Sequence, residues 1–564
     1  MESKEWSKET GYKGALRRGL GFLSTSCLGF NTIAVMTGIA VAFGEGLSIG
    51  GPAVLIWGWI GAFALTLIVS LSMAEICSAY PMAGGVYHWT AQVVPRNIAA
   101  PASYVCGWCS LLGGIMVTSL GCATVAGLIN AALIVSTGAS YSLPQQVGIA
   151  VVSLVGMASV NIARIDEIGL VSTIMGAIHF ATLVILGIAV LSLPSKLNHA
   201  DDVFFHYNNY TGFKDASYVS AIGLLVPAFI FAGYDASAQM AEETKGSSTA
   251  SPFGMVTAVV AAGLAGFFVL LSLLLATVDV DAVVHGDTDY PLFNVFMNYL
   301  PHEWACALCW LVVVNVFFSI MSWVAVTTRR AYALARDDGL PLSGLLSYLE
   351  PHFQSPIACT VFVVLFATFF LLFLLDSELS VAYDGMVSLS VIGLHVSYCI
   401  PILLRLVFMP PDFPSGDFSL GVLSVPLGVV SCFWLLSVAV LGFLPTMYPV
   451  TATNMNWAVV VAAGYALLAF VNWMVYSRHY FEGPKHVAEQ GKETIVHESS
   501  SSDSPLPVSP PPQQNTQQKS PGTSESVSIN DRRLSAKKMR KNWFVKPEVK
   551  SSAPGKATSS VIDI

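Results

Sequence analysis

Long apolar runs separated by short polar segments carry the chain from about Leu20 to Tyr480, after which the pattern stops. A hydrocarbon core of about 30 Å takes roughly 20 helical residues. Runs near that length lie at residues 20–43, 52–76, 98–123 or beyond, 146–162, 169–193, 221–243, 254–278, 305–328, 357–375, 381–407, 422–443 and 457–476. They predict an all-α integral membrane protein with about twelve transmembrane helices, since closed barrels aside only helices satisfy their own backbone groups inside lipid.

Two of these runs are interrupted. In the sixth, apolar residues stall at Ala232-Gly233-Tyr234-Asp235 and resume as a polar half ending in Glu242 and Glu243. A glycine beside a carboxylate at membrane depth is costly unless a cavity or a protein partner serves the freed groups. The first run carries Gly29-Phe30-Asn31-Thr32 in its middle, followed by Thr37-Gly38. Small residues also allow helices to pack closely. Two interruptions at corresponding places in the two halves of the chain nevertheless favour a binding site near the bilayer midplane, because broken helices aim their free ends at a substrate there.

Composition agrees with the class: 54% of the 564 residues are hydrophobic and 11% charged, and mean hydropathy is +0.65. The net charge of -8 is spread over loops and a tail rather than one basic face, so no nucleic-acid partner is expected. The ten cysteines sit in apolar segments and read as small core residues, the closely spaced Cys106/Cys109 and Cys306/Cys309 included. No cleavable leader is evident behind the basic start of the chain. Alternating from a cytosolic N-terminus places Arg96, Arg164, Lys245, Arg329, Arg330, Arg336, Arg405 and Arg478 inside and leaves Lys196 and Lys214 outside. The sequon at Asn209 falls on the outer side. Beyond about Gly483 the chain is rich in Ser, Pro and Gln and reads as a disordered tail, with a basic cluster from Arg532 to Lys541 around Ser535. The spans hold no phosphate loop, nucleophile-base pair or metal cluster, so no enzyme and no cofactor is expected.

Several motifs then align. They are Gly51-Pro52 with Trp57-Gly58-Trp59, Ser72-Met73-Ala74-Glu75, Pro81-Met82-Ala83-Gly84-Gly85-Val86-Tyr87, Gly233 to Ala238, Glu242-Glu243-Thr244-Lys245, Arg330 to Pro341, and Phe443 to Trp457. In these the chain resembles the amino acid, polyamine and organocation superfamily, and within it the amino acid and choline transporter family, which includes GABA permeases and plant bidirectional amino acid transporters. The resemblance implies a leucine-transporter-like fold with a 5+5 inverted repeat and broken helices 1 and 6. It divides the chain into a cytosolic segment 1–19, a first repeat 20–193, a second repeat 194–408 with its outer loop, helices 11 and 12 in 409–482, and a cytosolic tail 483–564.

The expected function is secondary transport of amino acids or GABA-like amines by alternating access, with choline or polyamine transport and a non-transporting nutrient sensor as alternatives. A zwitterion's carboxylate suits Asn31, Thr32, Thr37 and Gly38, and its ammonium suits the backbone of Phe231, Ala232 and Gly233. Tyr234 would wall the cavity and, with Trp323 or Phe318, offer a face to a quaternary ammonium. Asp235 would bind amine, hold the unwound turn, or hydrogen-bond to another helix. For coupling, His179 is the proton candidate, while Ser319 and Ser322 are candidates for the less favoured sodium. Proton-coupled members place a lysine in helix 5, and this chain has none between Arg164 and Lys196. Arg329, Arg330, Arg336 and Asp337 are gate candidates in a cytosolic loop. Both termini are expected in the cytosol and the protein in the plasma membrane, with a vacuolar or mitochondrial membrane as the alternative.

Overall fold

The computed structural model describes residues 19–82, 84–162, 165–350, 355–375, 380–409, 413–414, 416–451 and 454–484. The basic N-terminal segment, Arg164 and the Ser/Pro/Gln-rich tail with its Arg532–Lys541 cluster fall outside them.

The chain opens with α1 (Phe22–Ile33) and α2 (Val35–Ala79), separated by one residue. The second of these is two arms. Gly51 takes φ 70°, a conformation that glycine adopts at little cost, and Pro52 starts the returning arm with a preset φ. A short α3 (Gly85–Gln92) precedes the long α4 (Arg96–Thr137), α5 (Leu143–Asn161) and α6 (Ile165–Ser192). Ser142 and Gln145 form a reciprocal cap at the start of α5. After a loop holding α7 (Ala200–Phe205) come α8 (Ala216–Gly223), α9 (Leu225–Ile230), the single turn α10 (Ala236–Gln239) and a 3-10 turn at Ala241–Glu243. Then follow α11 (Ser247–Ala276), α12 (Val280–Val284), α13 (Pro291–Tyr299) and α14 (His302–Arg336). The chain ends in α15 (Ser343–Leu346), α16 (Ile357–Leu372), α17 (Ser380–Phe408), α18 (Ser424–Leu441) and α19 (Ala458–Asn472).

Among the described residues ten segments are long and apolar enough to cross a membrane. Counting both arms of Phe22–Ala79 and adding the interrupted segment that begins at Ala216–Ile230 gives the twelve spans expected. Packing is close where small residues meet: a side chain on Gly393 of α17 would lie 2.8 Å from the backbone nitrogen of Gly113 in α4. Trp59 fills the α2–α11 contact, its indole N–H donating to Gly263 O at 3.0 Å.

The Pro81–Tyr87 motif leads into α3, whose Tyr87 and Trp89 are buried in the protein, with Trp89 Nε1 donating to Tyr80 O at 2.8 Å. One local feature differs from the sequence expectation: Arg329 and Arg330 are not in a loop. The α14 helix continues through Arg336, and both guanidinium groups are buried. The bundle supplies carboxylates for them, and a buried charge is tolerated when it is paired.

Candidate functional site

The two interruptions face each other. Between α1 and α2 the break is a single left-handed residue, Ala34, at φ 52° and ψ 47°, two residues beyond Thr32. The other lies between α9 and α10, where Phe231 leaves helical geometry and Gly233 adopts φ 90°. Only glycine fits there. A Cβ on Gly233 would sit 2.4 Å from the Trp323 ring and 2.8 Å from Thr32 O. One contact ties the breaks together: Thr32 Oγ1 lies 2.9 Å from Gly233 O, a carbonyl that shares the hydroxyl's single hydrogen with Leu28 O and Gly29 O of the same helix as Thr32.

Beside the breaks is a cavity of about 30 Å³, lined by Thr32, Ala34, Thr37, Gly38, Ala232 and Trp323 with aliphatic neighbours that include Val41 and Ile320. Among the expected contacts, Thr32, Thr37, Gly38, Ala232 and Trp323 thus come together. Thr37 Oγ1 is buried without a protein partner among the described residues. Asn31, Phe231, Gly233, Tyr234 and Asp235 stand behind the lining. Asn31 Nδ2 donates to Ser172 O of α6 at 3.1 Å, Phe231 packs on Trp59 and Phe63, and the Tyr234 ring lies 5.1 Å from that of Tyr398. The volume holds a water molecule or two. An amino acid therefore requires the lining side chains to move.

From the break a polar chain runs to one end of the bundle. Gly233 N–H donates to Tyr398 Oη at 3.3 Å, and the Tyr398 hydroxyl donates to Asp235 Oδ1 at 2.6 Å. Arg330 Nη2 reaches both Asp235 oxygens at 2.8 and 2.7 Å, and Gln239 Nε2 adds a bond of 3.2 Å. The Asp235 carboxylate is thereby fully engaged by the protein. Below it, Arg329 pairs with Glu243 at 3.3 Å, Arg336 with Glu242 at 3.1 Å, and Tyr87 Oη bonds Asp337. All four gate candidates take part in this layer, which joins α14 to α10, the 3-10 turn and α3. The cation over Trp323 is the chain's own: Arg330 Cζ lies 5.3 Å from its ring centroid. A further buried pair, Arg405–Glu75 at 2.7 Å, links α17 to α2. Ser424 of α18 bonds both partners, and the Leu420 N–H donates to the same carboxylate.

The proton and sodium candidates meet each other. Ser319 Oγ lies 3.1 Å from His179 Nδ1, while Ser322 bonds Phe318 O at 3.4 Å. Toward the other end of the bundle lie two further cavities that share Val41 in their lining, one also lined by Glu45 and the other a vestibule of about 480 Å³. Asp289, Asp384, Tyr290, Tyr383 and Gln146 line it. The sequence argument did not reach Tyr398, Gln239 or these acids. Tyr398 and Asp235 are 163 positions apart, and nothing local marks either as the other's partner.

Facing interruptions beside a small cavity, with ion pairs toward one end and a vestibule toward the other, suit a solute permease. The chain belongs to the amino acid permease family, whose model matches residues 20–465. It is 34% identical over 493 residues to the amino-acid permease BAT1 homolog of Oryza sativa subsp. japonica, covering 85% of this chain and 94% of that protein. To the amino-acid permease BAT1 of Arabidopsis thaliana it is 32% identical, covering 85% and 95%. To the GABA-specific permease of Saccharomyces cerevisiae it is 27% identical, covering 84% of each. The protein is a multi-pass membrane transporter of amino acids or amines, and not an enzyme.

Proposed function

We propose that the chain moves neutral amino acids or GABA across its membrane by alternating access, with the substrate held between the two breaks. The observation that carries this is the Thr32–Gly233 contact across the facing interruptions, beside a cavity whose only hydroxyl without a partner among the described residues is that of Thr37. The substrate carboxylate lies toward Asn31, Thr32, Thr37 and Gly38, and the ammonium toward the carbonyls of Phe231, Ala232 and Gly233. The chain from Gly233 through Tyr398 and Asp235 to Arg330 supports a link between site and gate, since a guest that draws on the Gly233 backbone alters the partners of Asp235.

Repeats 20–193 and 194–408 supply the moving parts, and the ion-paired end is the cytosolic one, with both termini on that side of a plasma membrane. The coupling ion is the proton, with His179 as its site and sodium as the weaker reading. Choline and polyamines are weaker substrates, because Arg330 already occupies the Trp323 face and the Asp235 carboxylate, and no carboxylate lines the cavity among the described residues. The test is reconstitution in liposomes with labelled amino acids, GABA, choline and polyamines, repeated under imposed pH and sodium gradients. Saturable, pH-driven uptake of a neutral amino acid or GABA is the expected result. Failure of every substrate to move would favour a sensor on the same fold.

A further inference from the structure

Buried hydroxyls on these helices characteristically donate to the carbonyl one turn back, as Thr118 does to Gly114 O, Ser119 to Ile115 O and Thr328 to Val324 O. Ser319 departs from the habit. Its bonded partner is His179 Nδ1. With the hydroxyl donating, Nδ1 is the acceptor and the neutral ring carries its hydrogen on Nε2. His179 Nε2 has no partner among the described residues, and neither has Oδ1 or Nδ2 of Asn315, although Asn315 is only 1% exposed.

The helix register sets these orphaned groups at adjacent levels of the same seam. The α6 and α14 helices run antiparallel here, with Ser322 against Met175 and Ser319 against His179. Asn315, one turn before Ser319 on the same face, therefore falls level with the turn of α6 that follows His179. Buried polar groups are almost always satisfied, by protein or by ordered water.

We propose that His179 and Asn315 share a buried water, and that this amide-water-imidazole unit sets the pH at which His179 takes up the co-transported proton. The proposal rests on the proton-coupled reading above. In the neutral state Ser319 O–H donates to Nδ1, Nε2–H donates to the water, and the water donates to Asn315 Oδ1. A proton arriving on Nδ1 makes the ring an imidazolium. Ser319 Oγ then accepts from Nδ1–H, and its own hydrogen turns to the main-chain carbonyl of Asn315, the one-turn bond it otherwise forgoes. One N–H bond forms, no heavy-atom bond changes, and the unit gains one positive charge.

Among the described residues of the helices packed on α6, the Cys27 thiol is the one ionisable group on α1. The helices packed on α6 are α1, α11 and α14. From α1 the facing groups are Phe30, 4.8 Å from the His179 ring, and the Cys27 thiol beside Gly176. The α11 sequence has no ionisable side chain. Those of α14 are His302 and Glu303 at its start, the Cys306 and Cys309 thiols, Tyr332, and Arg329, Arg330 and Arg336 at its end. On α6 itself Asp166 and Glu167 lie about three turns back. The imidazolium is thus held by neutral dipoles, and the Asn315 amide is the largest of them.

The test measures uptake against pH for the full chain in liposomes, using alanine and GABA as probes, for wild type, Asn315→Leu, Asn315→Asp, His179→Gln and Asn315→Leu/His179→Gln. Asn315→Leu should move the midpoint of the pH profile about one unit to acid, a tenfold higher proton concentration, because the charged ring loses its partner. Asn315→Asp should move it to alkaline pH. The His179→Gln protein should lose the pH dependence, and adding Asn315→Leu should then change nothing further. An Asn315→Leu profile that superimposes on wild type overturns the proposal, as does an equal loss of flux from Asn315→Leu with and without His179. If His179→Gln keeps the wild-type profile, the His179 coupling assignment itself falls, an outcome separate from a null result at Asn315.

Discussion

The two ends of the bundle handle their carboxylates in opposite ways. At one end Asp235, Glu242 and Glu243 each meet an arginine of α14, and the space between the helices is closed. At the other, Asp289 and Asp384 line an open vestibule, with Glu45 lining the other cavity there. The difference is one of solvation. Carboxylates that water reaches can stand unpaired, whereas those shut inside need a counter-charge to remain ionised. The matched end is therefore a seal whose opening must hydrate three ion pairs, and the unmatched end is already wet.

Four changes break or sharpen that contrast. The largest effect is expected midway between the ends, at Gly233→Leu, where a positive φ and the Trp323 ring leave no room for a side chain. Uptake should fall at least about a hundredfold with the protein still folded and monodisperse. Normal flux would remove the breaks from the transport cycle. Next is Arg330→Met at the seal. It strands a fully buried Asp235, and thermal unfolding in detergent should show a loss of about 3–5 kcal/mol. Much of this should return in Asp235→Asn/Arg330→Met, and an unchanged melting temperature in the single variant would mean that the pair is not desolvated.

Glu242→Gln should act more mildly, because Arg336 keeps 13% of its side chain exposed. Hydrogen exchange in α10 and the following turn should quicken about tenfold, corresponding to roughly 1.4 kcal/mol of easier opening. Equal exchange would separate that pair from the seal. Asp384→Asn in the vestibule should do least, changing KM by about twofold in a salt-dependent way without altering stability. A loss of stability as large as that of Arg330→Met would abolish the distinction between the two ends.

Spans and turns were legible in the hydropathy pattern because lipid imposes a strict rule on backbone groups. The second break could be read from Gly233 beside Asp235. The first was read from Gly29–Thr32 and the following Thr37-Gly38, and the turn itself falls between them at Ala34. An alanine in the left-handed region carries no local signal, and its neighbours hold it there. Arg329 and Arg330 looked like loop charges because their counter-ions, Glu243 and Asp235, lie 86 and 95 positions away. Asn315 passed unnoticed for a related reason. One amide in an apolar run is unremarkable until the structure leaves both of its ends without a partner.

The Glu75–Arg405 pair, with Ser424 bridging it, has a mechanical meaning. It bolts the returning arm of α2 to α17 and α18 with a charged rivet in the interior, and parting any of this frame would strand a buried charge. Whatever swings to admit cargo from the sealed side must hinge against that frame, and the natural place to bend is the pair of uncoiled turns at Ala34 and Gly233.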